Sequence, residues 1–257
     1  MSSNFREWCE KYSLQGGALI HAGAHFAEER DEYLDLGFDS VYWIEALPET
    51  AEICRGILSG YSGHHLIVAT LSSQIDREVE FYLAGAESSS SSILKPHLIS
   101  ASHPEVSVTR KIHLKTTTFD RLLGDNSFHD HKSYGLVIDL QGAEGPALEG
   151  AMSLLPKINF LIAEVTTREL YKDGTRFRAL NSFLAKQGFV LLASEMNRAT
   201  GWGEALYINR GGIHAAVLQN QEPSFITKGG FSLGTLLRSA LVRAGSPNWV
   251  LQKLKRK

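Results

Sequence analysis

An α/β fold with a doubly wound, mostly parallel sheet is predicted by two features of the chain. Short apolar runs stop abruptly at small or acidic residues: Leu19-Ile20-His21-Ala22-Gly23-Ala24-His25, Val41-Tyr42-Trp43-Ile44-Glu45 and Leu136-Val137-Ile138-Asp139. A strand buried on both faces and ending in a ligand-facing loop reads this way. Helical spacing fills the stretches between the runs, and strands alternating with helices argue for a parallel sheet covered on both sides. An antiparallel hairpin near the C-terminus and a helical tail complete the expected architecture.

The elements follow in order. Residues 5–14 read as a leading helix and 18–22 as the first strand. From Glu28 to Leu36 the apolar Tyr33, Leu34 and Leu36 recur at helical spacing, and Gly37 closes the segment. The second strand is 41–45, and Pro48 starts a helix running to Leu58. His65 to Ala69 is the third strand. Glu78 to Leu83 and Val106 to Leu114 are β-rich and are expected to pair, with the low-complexity run Ser88 to Ser92 between them. Thr118 is the N-cap of a helix through Leu123. Asn126 to Ser133 is a polar, histidine-rich loop containing His129-Asp130-His131, which reads either as a metal-ligand run or as a solvated loop. The fourth strand is 135–139, with a helix after it to Leu155 that Pro156 ends. Ile158 to Glu164 is the fifth strand, 175–186 a helix closed by Gly188, and Val190 to Ala193 with Glu204 to Asn209 the final hairpin.

From Gly211 the pattern loosens. Gly229-Gly230 breaks it, Leu233 to Val242 has amphipathic spacing, and Lys253 to Lys257 is a basic end. Residues 1–210 are therefore read as the functional domain and 211–257 as an extension.

Bulk properties narrow the classes. With 257 residues, 43% of them hydrophobic, the chain suits one large α/β domain. A net charge of -2 supplies no global field for nucleic acid or an anionic membrane. Two cysteines, Cys9 and Cys54, build neither a disulfide framework nor a cysteine zinc site, so a reducing cytoplasm is the expected compartment. The polar Met1 to Lys11 does not read as a signal peptide, and no apolar run approaches the roughly 20 residues of a membrane span. A homo-oligomer is compatible with all of this.

A glycine turn after the first strand and an acid ending the second, a spacing of roughly 20 residues, form the pattern of a nucleotide-handling site. A dinucleotide enzyme would want Gly-x-Gly-x-x-Gly. Here only Gly23 is present, with Phe26 and Ala27 where further glycines would sit.

At these residues the chain resembles the FkbM family of S-adenosylmethionine (SAM)-dependent methyltransferases, over residues 17–209. Gly23-Ala24-His25-Phe26-Ala27 is similar to the family's G-A-N/H-x-G turn, and Glu45-Ala46-Leu47-Pro48 to its E-P-x-P. The segment Asp139-Leu140-Gln141-Gly142-Ala143-Glu144-Gly145-Pro146-Ala147-Leu148-Glu149-Gly150 matches every fixed position of D-x-Q-G-x-E-x-x-x-L-x-G. Ile162-Ala163-Glu164-Val165 resembles the strand-five motif and Thr117-Thr118-Phe119-Asp120-Arg121-Leu122-Leu123 the T-T-L-D-x-L-L motif. Ala27 and Ala46 depart from the usual glycine and proline.

The resemblance implies a Rossmann-like class I methyltransferase fold, SAM as cofactor and a hydroxyl oxygen of a sugar or natural product as acceptor, with no nucleic-acid partner. The cofactor contacts it implies are His21, Gly23, Ala24, His25, Glu45, Ala46, Ala69, Thr70, Asp139 and Gln141. Gly23 either brings the backbone close to the ligand or makes an ordinary tight turn. A helix N-terminus near Ala27 would offer free N–H groups to the amino-acid carboxylate. Glu45 either accepts from the ribose hydroxyls or is a solvated strand end, and Val68 to Leu71 wall the adenine. Asp139 either takes the acceptor's proton or holds the cofactor's ammonium. His25 is a second candidate base or a polar turn residue, and Glu164 a third catalytic candidate. Glu144 favours a helix N-terminus. No metal is expected, because two acids fall short of the three or more oxygens a divalent ion wants. The serine run is either linker or a lid over the cofactor. A nicotinamide oxidoreductase and a non-catalytic partner subunit of the same fold are the rival readings.

Overall fold

The apolar run Ala18–Ala22 is strand β1, and all five of its residues are buried. The computed structural model describes residues 4–102, 106–129, 131–219 and 224–225. Helix α1 (Phe5–Tyr12) precedes β1, and α2 (Arg30–Asp35), β2 (Ser40–Glu45), α3 (Pro48–Leu58) and β3 (His64–Val68) follow it. Next come β4 (Thr70–Leu71), β5 (Glu78–Ala84), α4 (Ile99–Ser102), β6 (Val108–Thr117) and α5 (Phe119–Gly124). The second half holds β7 (Tyr134–Ile138), α6 (Glu144–Glu149), β8 (Ile158–Thr166), α7 (Phe177–Lys186), β9 (Phe189–Asn197), β10 (Trp202–Asn209) and β11 (Ser224–Phe225).

Among the described residues, eight strands form one sheet in the order β11-β9-β10-β8-β7-β1-β2-β3. The five strands from β8 to β3 are parallel. Strand β10 enters antiparallel between β8 and β9, so the expected hairpin exists but its second strand lies inside the first. The two faces carry separate cores. Phe119, Leu148, Leu180 and Leu184 from α5, α6 and α7 cover one. Phe5, Trp8, Tyr33, Cys54 and Leu58 from α1, α2 and α3 cover the other. Strands buried on both faces show the continuous apolar runs read in the sequence.

Strands β5 and β6 pair antiparallel, as expected, but belong to a second sheet with β4. Phe81 and Leu83 on its inner face pack on Leu47, placing this small sheet beside the carboxyl ends of the parallel strands. Thr118 caps α5 as predicted, its Oγ1 accepting the Arg121 N–H at 3.0 Å. Helix α6 ends at Glu149, not near Leu155. Gly150 lies against the Ser72 carbonyl, where a Cβ would come within 2.4 Å. The Asp120 carboxylate then takes the N–H groups of Ser153 and Leu154 and holds the following turn open. The histidine-rich loop is anchored at the amino end of the sheet: His129 N–H donates to the Tyr42 hydroxyl at 3.0 Å, and His131 Nε2 lies 3.0 Å from it.

Beyond residue 210, Val217 and Leu218 pack on the second core and Ser224–Phe225 pairs with β9. The helix expected at Leu233–Val242, the Gly229-Gly230 break and the basic end lie outside the described residues, as do His103 and Asp130. No helix among the described residues is long and apolar enough to cross a membrane.

Candidate active site

Strand order reverses direction at β1, whose neighbours are β2 and β7, and open α/β sheets bind ligands at that point, outside the carboxyl ends. A cavity of about 270 Å³ lies there. Its lining includes Gly23, Ala24, His25, Glu45, Ala46, Ala69, Thr70, Asp139 and Gln141, nine of the residues expected from sequence.

The floor is backbone. Gly23 and Ala24 N–H groups both reach the Ile44 carbonyl at 3.0 Å, tying the turn to β2. Gly23 has φ +93°, and a Cβ there would lie 1.9 Å from the Asp139 carbonyl oxygen. The contact between two strand ends therefore by itself demands glycine here, at a position that also lines the cavity. Helix α2 begins only at Arg30, so the helix N-terminus expected near Ala27 is displaced by a turn through Ala27, itself at φ 53°.

Glu45 is 9% exposed and is not a solvated strand end. Its Oε1 accepts the Leu47 N–H at 2.8 Å and its Oε2 the His25 N–H at 2.9 Å. Burial pushes its carboxyl above the ordinary range, and the two N–H groups oppose that push. His25 sits between two acceptors: Nδ1 is 2.6 Å from Glu28 Oε1 and Nε2 is 3.0 Å from the Glu87 carbonyl. Burial alone would lower its pKa, but the Glu28 and Glu87 acceptors outweigh that and raise it. Each ring nitrogen thus faces an acceptor, and the ring clasps the start of the serine loop; a protonated ring donates to both, while a neutral ring keeps one nitrogen without a proton, as the general-base role read from the sequence requires.

The opposite wall is a carboxyl cluster. Gln141 Nε2 donates to Asp139 Oδ1 at 2.7 Å and lies 3.2 Å from both Glu164 oxygens. Glu144 adds a third acid, and ligand oxygens of Asp139, Glu144 and Glu164 lie within 4.8 Å of one another. Sequence reasoning counted two. The Glu144 Oε1 already accepts the N–H groups of Leu140 and Gly142, at 2.9 and 3.1 Å. Burial, with repulsion from Asp139, raises the Glu144 carboxyl to about 7. Burial raises Asp139 as well, against the pull of the Gln141 amide. Burial followed by the charges of Asp139 and Glu144 raises Glu164 well above its ordinary value. Carboxyls this close share protons, so the cluster titrates as a unit, with Glu164 raised furthest by burial and its two acidic neighbours.

Two expected residues stand apart. His21 is fully buried away from the cavity, its Nδ1 2.9 Å from the Tyr33 hydroxyl and its ring 4.8 Å from that of Trp43. Burial lowers its pKa to about 3, so it is a neutral core residue whose Nε2 has no partner. Glu164 does not line the cavity and reaches it only through Gln141. Conversely, the cavity includes Glu29, Phe81 and the serines 88, 89, 91 and 92. Glu29 carried no motif signal. The serine run did, and the lid alternative describes its position.

The fold is an open, mostly parallel α/β sheet with the antiparallel β10 inserted between β8 and β9 and a cavity where strand order reverses. A family model described as the methyltransferase FkbM domain matches residues 21–191, and the chain belongs to that family. No curated protein matches the chain in sequence. Among solved structures, the FkbM methyltransferase of Methylobacillus flagellatus KT is 14% identical, with a TM-score of 0.47 over 79% of this chain and 50% of that one. The magnesium protoporphyrin IX methyltransferase of Synechocystis PCC 6803, with bound SAM, is 11% identical, with a TM-score of 0.46 over 79% and 76%. A ribosomal protein L11 methylase of Lactobacillus delbrueckii subsp. bulgaricus is 11% identical, with a TM-score of 0.41 over 79% and 75%.

Proposed function

We propose that this chain uses SAM to methylate a hydroxyl oxygen of a sugar or natural product. The observation that carries the reading is the charge of the cavity. Glu28, Glu29, Glu45 and Asp139 line it, and among the described residues no lysine or arginine does. A cationic sulfonium with an ammonium group suits that lining, whereas the pyrophosphate of a nicotinamide dinucleotide or the backbone of a nucleic acid does not.

The residues fit the cofactor. Glu45, fixed by two backbone N–H groups, keeps lone pairs for the two ribose hydroxyls. Ala46, Ala69, Thr70 and Leu71 supply a largely apolar wall for a base. SAM supplies an activated methyl group. The protein's own work is then to align an acceptor oxygen and take its proton. Asp139 is the base in this reading, because it lines the cavity while Glu164 does not, and the Gln141 amide steadies its charge. No step in this reading calls for a divalent metal, since the sulfonium already activates the methyl group and Asp139 takes the proton. Treatment with EDTA is expected to leave turnover unchanged.

The test is ligand-linked stability. Saturation with S-adenosylhomocysteine at 100 times its dissociation constant is expected to stabilise the protein by about 2.7 kcal/mol. A thermal shift with NADH and none with S-adenosylhomocysteine would overturn the methyltransferase reading. Binding without turnover on any acceptor would favour the non-catalytic partner subunit.

A further inference from the structure

Tyr171 lies outside every motif and is 2% exposed, on the turn that follows β8. Its hydroxyl is 2.7 Å from Gln141 Oε1 and 3.0 Å from the Ser90 carbonyl. Both are acceptors, and a phenol has a single proton to give. The ring has little freedom. A Cβ at Gly142 would come within 3.2 Å of it, so that glycine makes its berth. The backbone on either side is pinned by a bridge to Pro96, by Lys172 N–H on the Lys95 carbonyl and by Thr175 N–H on the Gly142 carbonyl.

The two acceptors belong to different parts of the site. Gln141 directs its amide N–H groups at Asp139 and Glu164. Ser90 is part of the loop whose neighbours Ser89 and Ser91 line the cavity. The loop is held at its other end by the His25 clasp on Glu87, and Ser92 Oγ donates to the Leu140 carbonyl at 3.3 Å.

We propose that Tyr171 is a positioning residue that couples the charge of the Asp139–Glu164 pair to the hold on the serine loop, by dividing one phenolic proton between Gln141 and Ser90. The proposal rests on the methyltransferase reading for its place in catalysis. While the pair carries a negative charge, it attracts the amide N–H groups. The amide oxygen then faces Tyr171 and takes its proton. When the pair gains a second proton, a carboxyl O–H can donate to the amide oxygen, and the amide can turn its NH₂ toward the phenol oxygen. The phenolic proton then passes wholly to Ser90. The acceptor's O–H breaks and a carboxyl O–H forms in its place, while the phenolic O–H of Tyr171 stays covalently whole and changes only its hydrogen-bond partner. Burial and the nearby carboxyls keep the phenol protonated throughout, so it remains a donor in both states. Proton capture by Asp139 from an acceptor would thus tighten the loop over the cavity. The groups facing the pair are Gln141 and Glu144 on one side, Glu29 across the cavity and Trp202 against Glu164.

Tyr171→Phe keeps the ring and removes the proton. Carbon-13 NMR of the side-chain carboxyls and amide hydrogen exchange at Ser89–Ser92, both read against pH, test the coupling. In the wild type, loop protection beyond the intrinsic exchange rate should rise as pH falls through the pair's titration. In Tyr171→Phe that rise should vanish and the pair's midpoint should move up by about one unit, since the amide is no longer held with its N–H groups toward the acids. The His25 clasp also titrates, and comparing variant with wild type at each pH removes its contribution. Gln141→Leu, which keeps the Ser90 bond but cuts the link to the acids, should abolish the same rise, and it serves alone if Tyr171→Phe does not fold. Unchanged midpoints and an unchanged pH dependence in the folded variant overturn the proposal. The S-adenosylhomocysteine shift is read separately: its absence overturns the function and leaves the coupling standing, while its presence beside an uncoupled wild-type loop overturns the coupling alone.

Discussion

The two halves of the cavity hold their carboxylates by different means. On the side of β1 and β2, Glu45 is gripped by the backbone N–H groups of His25 and Leu47. On the side of β7 and β8, Asp139 and Glu164 are gripped by the side-chain amide of Gln141. Backbone donors cannot turn over or move without unmaking the turn that carries them, so Glu45 is a fixed acceptor suited to binding. An amide side chain can reorient, so the second pair can change its proton count, which suits chemistry. The same residue type at neighbouring strand ends is thus divided between two tasks by what donates to it.

The largest effect that would break this division is on rate. Asp139→Asn is expected to lower single-turnover rate by about 10²–10⁴ while S-adenosylhomocysteine affinity changes little. A parallel loss of affinity, measured by calorimetry, would move Asp139 to the binding half. Next is the seam between the halves. Gly23→Ala places a methyl against the Asp139 carbonyl at φ +93°, and is expected to cost about 2–4 kcal/mol in denaturant unfolding. A cost below about 1 kcal/mol would show that the two strand ends can part. Glu45→Ala should leave the fold intact and weaken S-adenosylhomocysteine by about 1.5–3 kcal/mol. Unchanged binding would leave the first half without a ligand role.

The smallest effect tests the acid that faces both halves. Burial, with repulsion from Glu28 and Asp139, pushes the Glu29 carboxyl from 4.5 to about 7. Because its folded pKa is raised, the unfolded chain releases this proton first. Stability from this group is full below the unfolded value and falls as pH rises from 4.5 to 7. Glu29→Gln should therefore match the wild type at pH 4 and exceed it at pH 8. The gain should be about 1–2 kcal/mol, discounted for the partly exposed position. Equal stabilities at pH 8 would show that Glu29 is ionised without penalty.

The parallel strands were legible because burial on both faces writes an unbroken apolar run, and their ends because the run stops at Gly23, Glu45 and Asp139. Thr118 was legible because an N-cap is a local signal. What escaped was set by distant partners. The early end of α6 depends on Ser72 and Asp120, far away in sequence. His21 reads as part of a ligand turn, yet strand alternation points it into the core between Tyr33 and Trp43. Nothing local marks the position of β10 inside β9. The role of His25 turned on which acceptors meet its ring, one of them 62 residues on. Tyr171 gave no signal because its importance lies in two acceptors from other segments.

The pairing of β1 with β7 has a consequence for how the protein acquires its shape. Residues 18–22 and 134–138 lie side by side at the centre of the sheet, and Gly23 meets Asp139 just beyond. Closing so long a segment costs entropy that only the finished contact repays, so folding is expected to be slow compared with a chain of local contacts. During synthesis the first three parallel strands emerge with one side of β1 still lacking its neighbour. Until β7 docks, the edge of β1 is an exposed apolar strand, and the interval between the two is when the nascent chain is most open to misassociation.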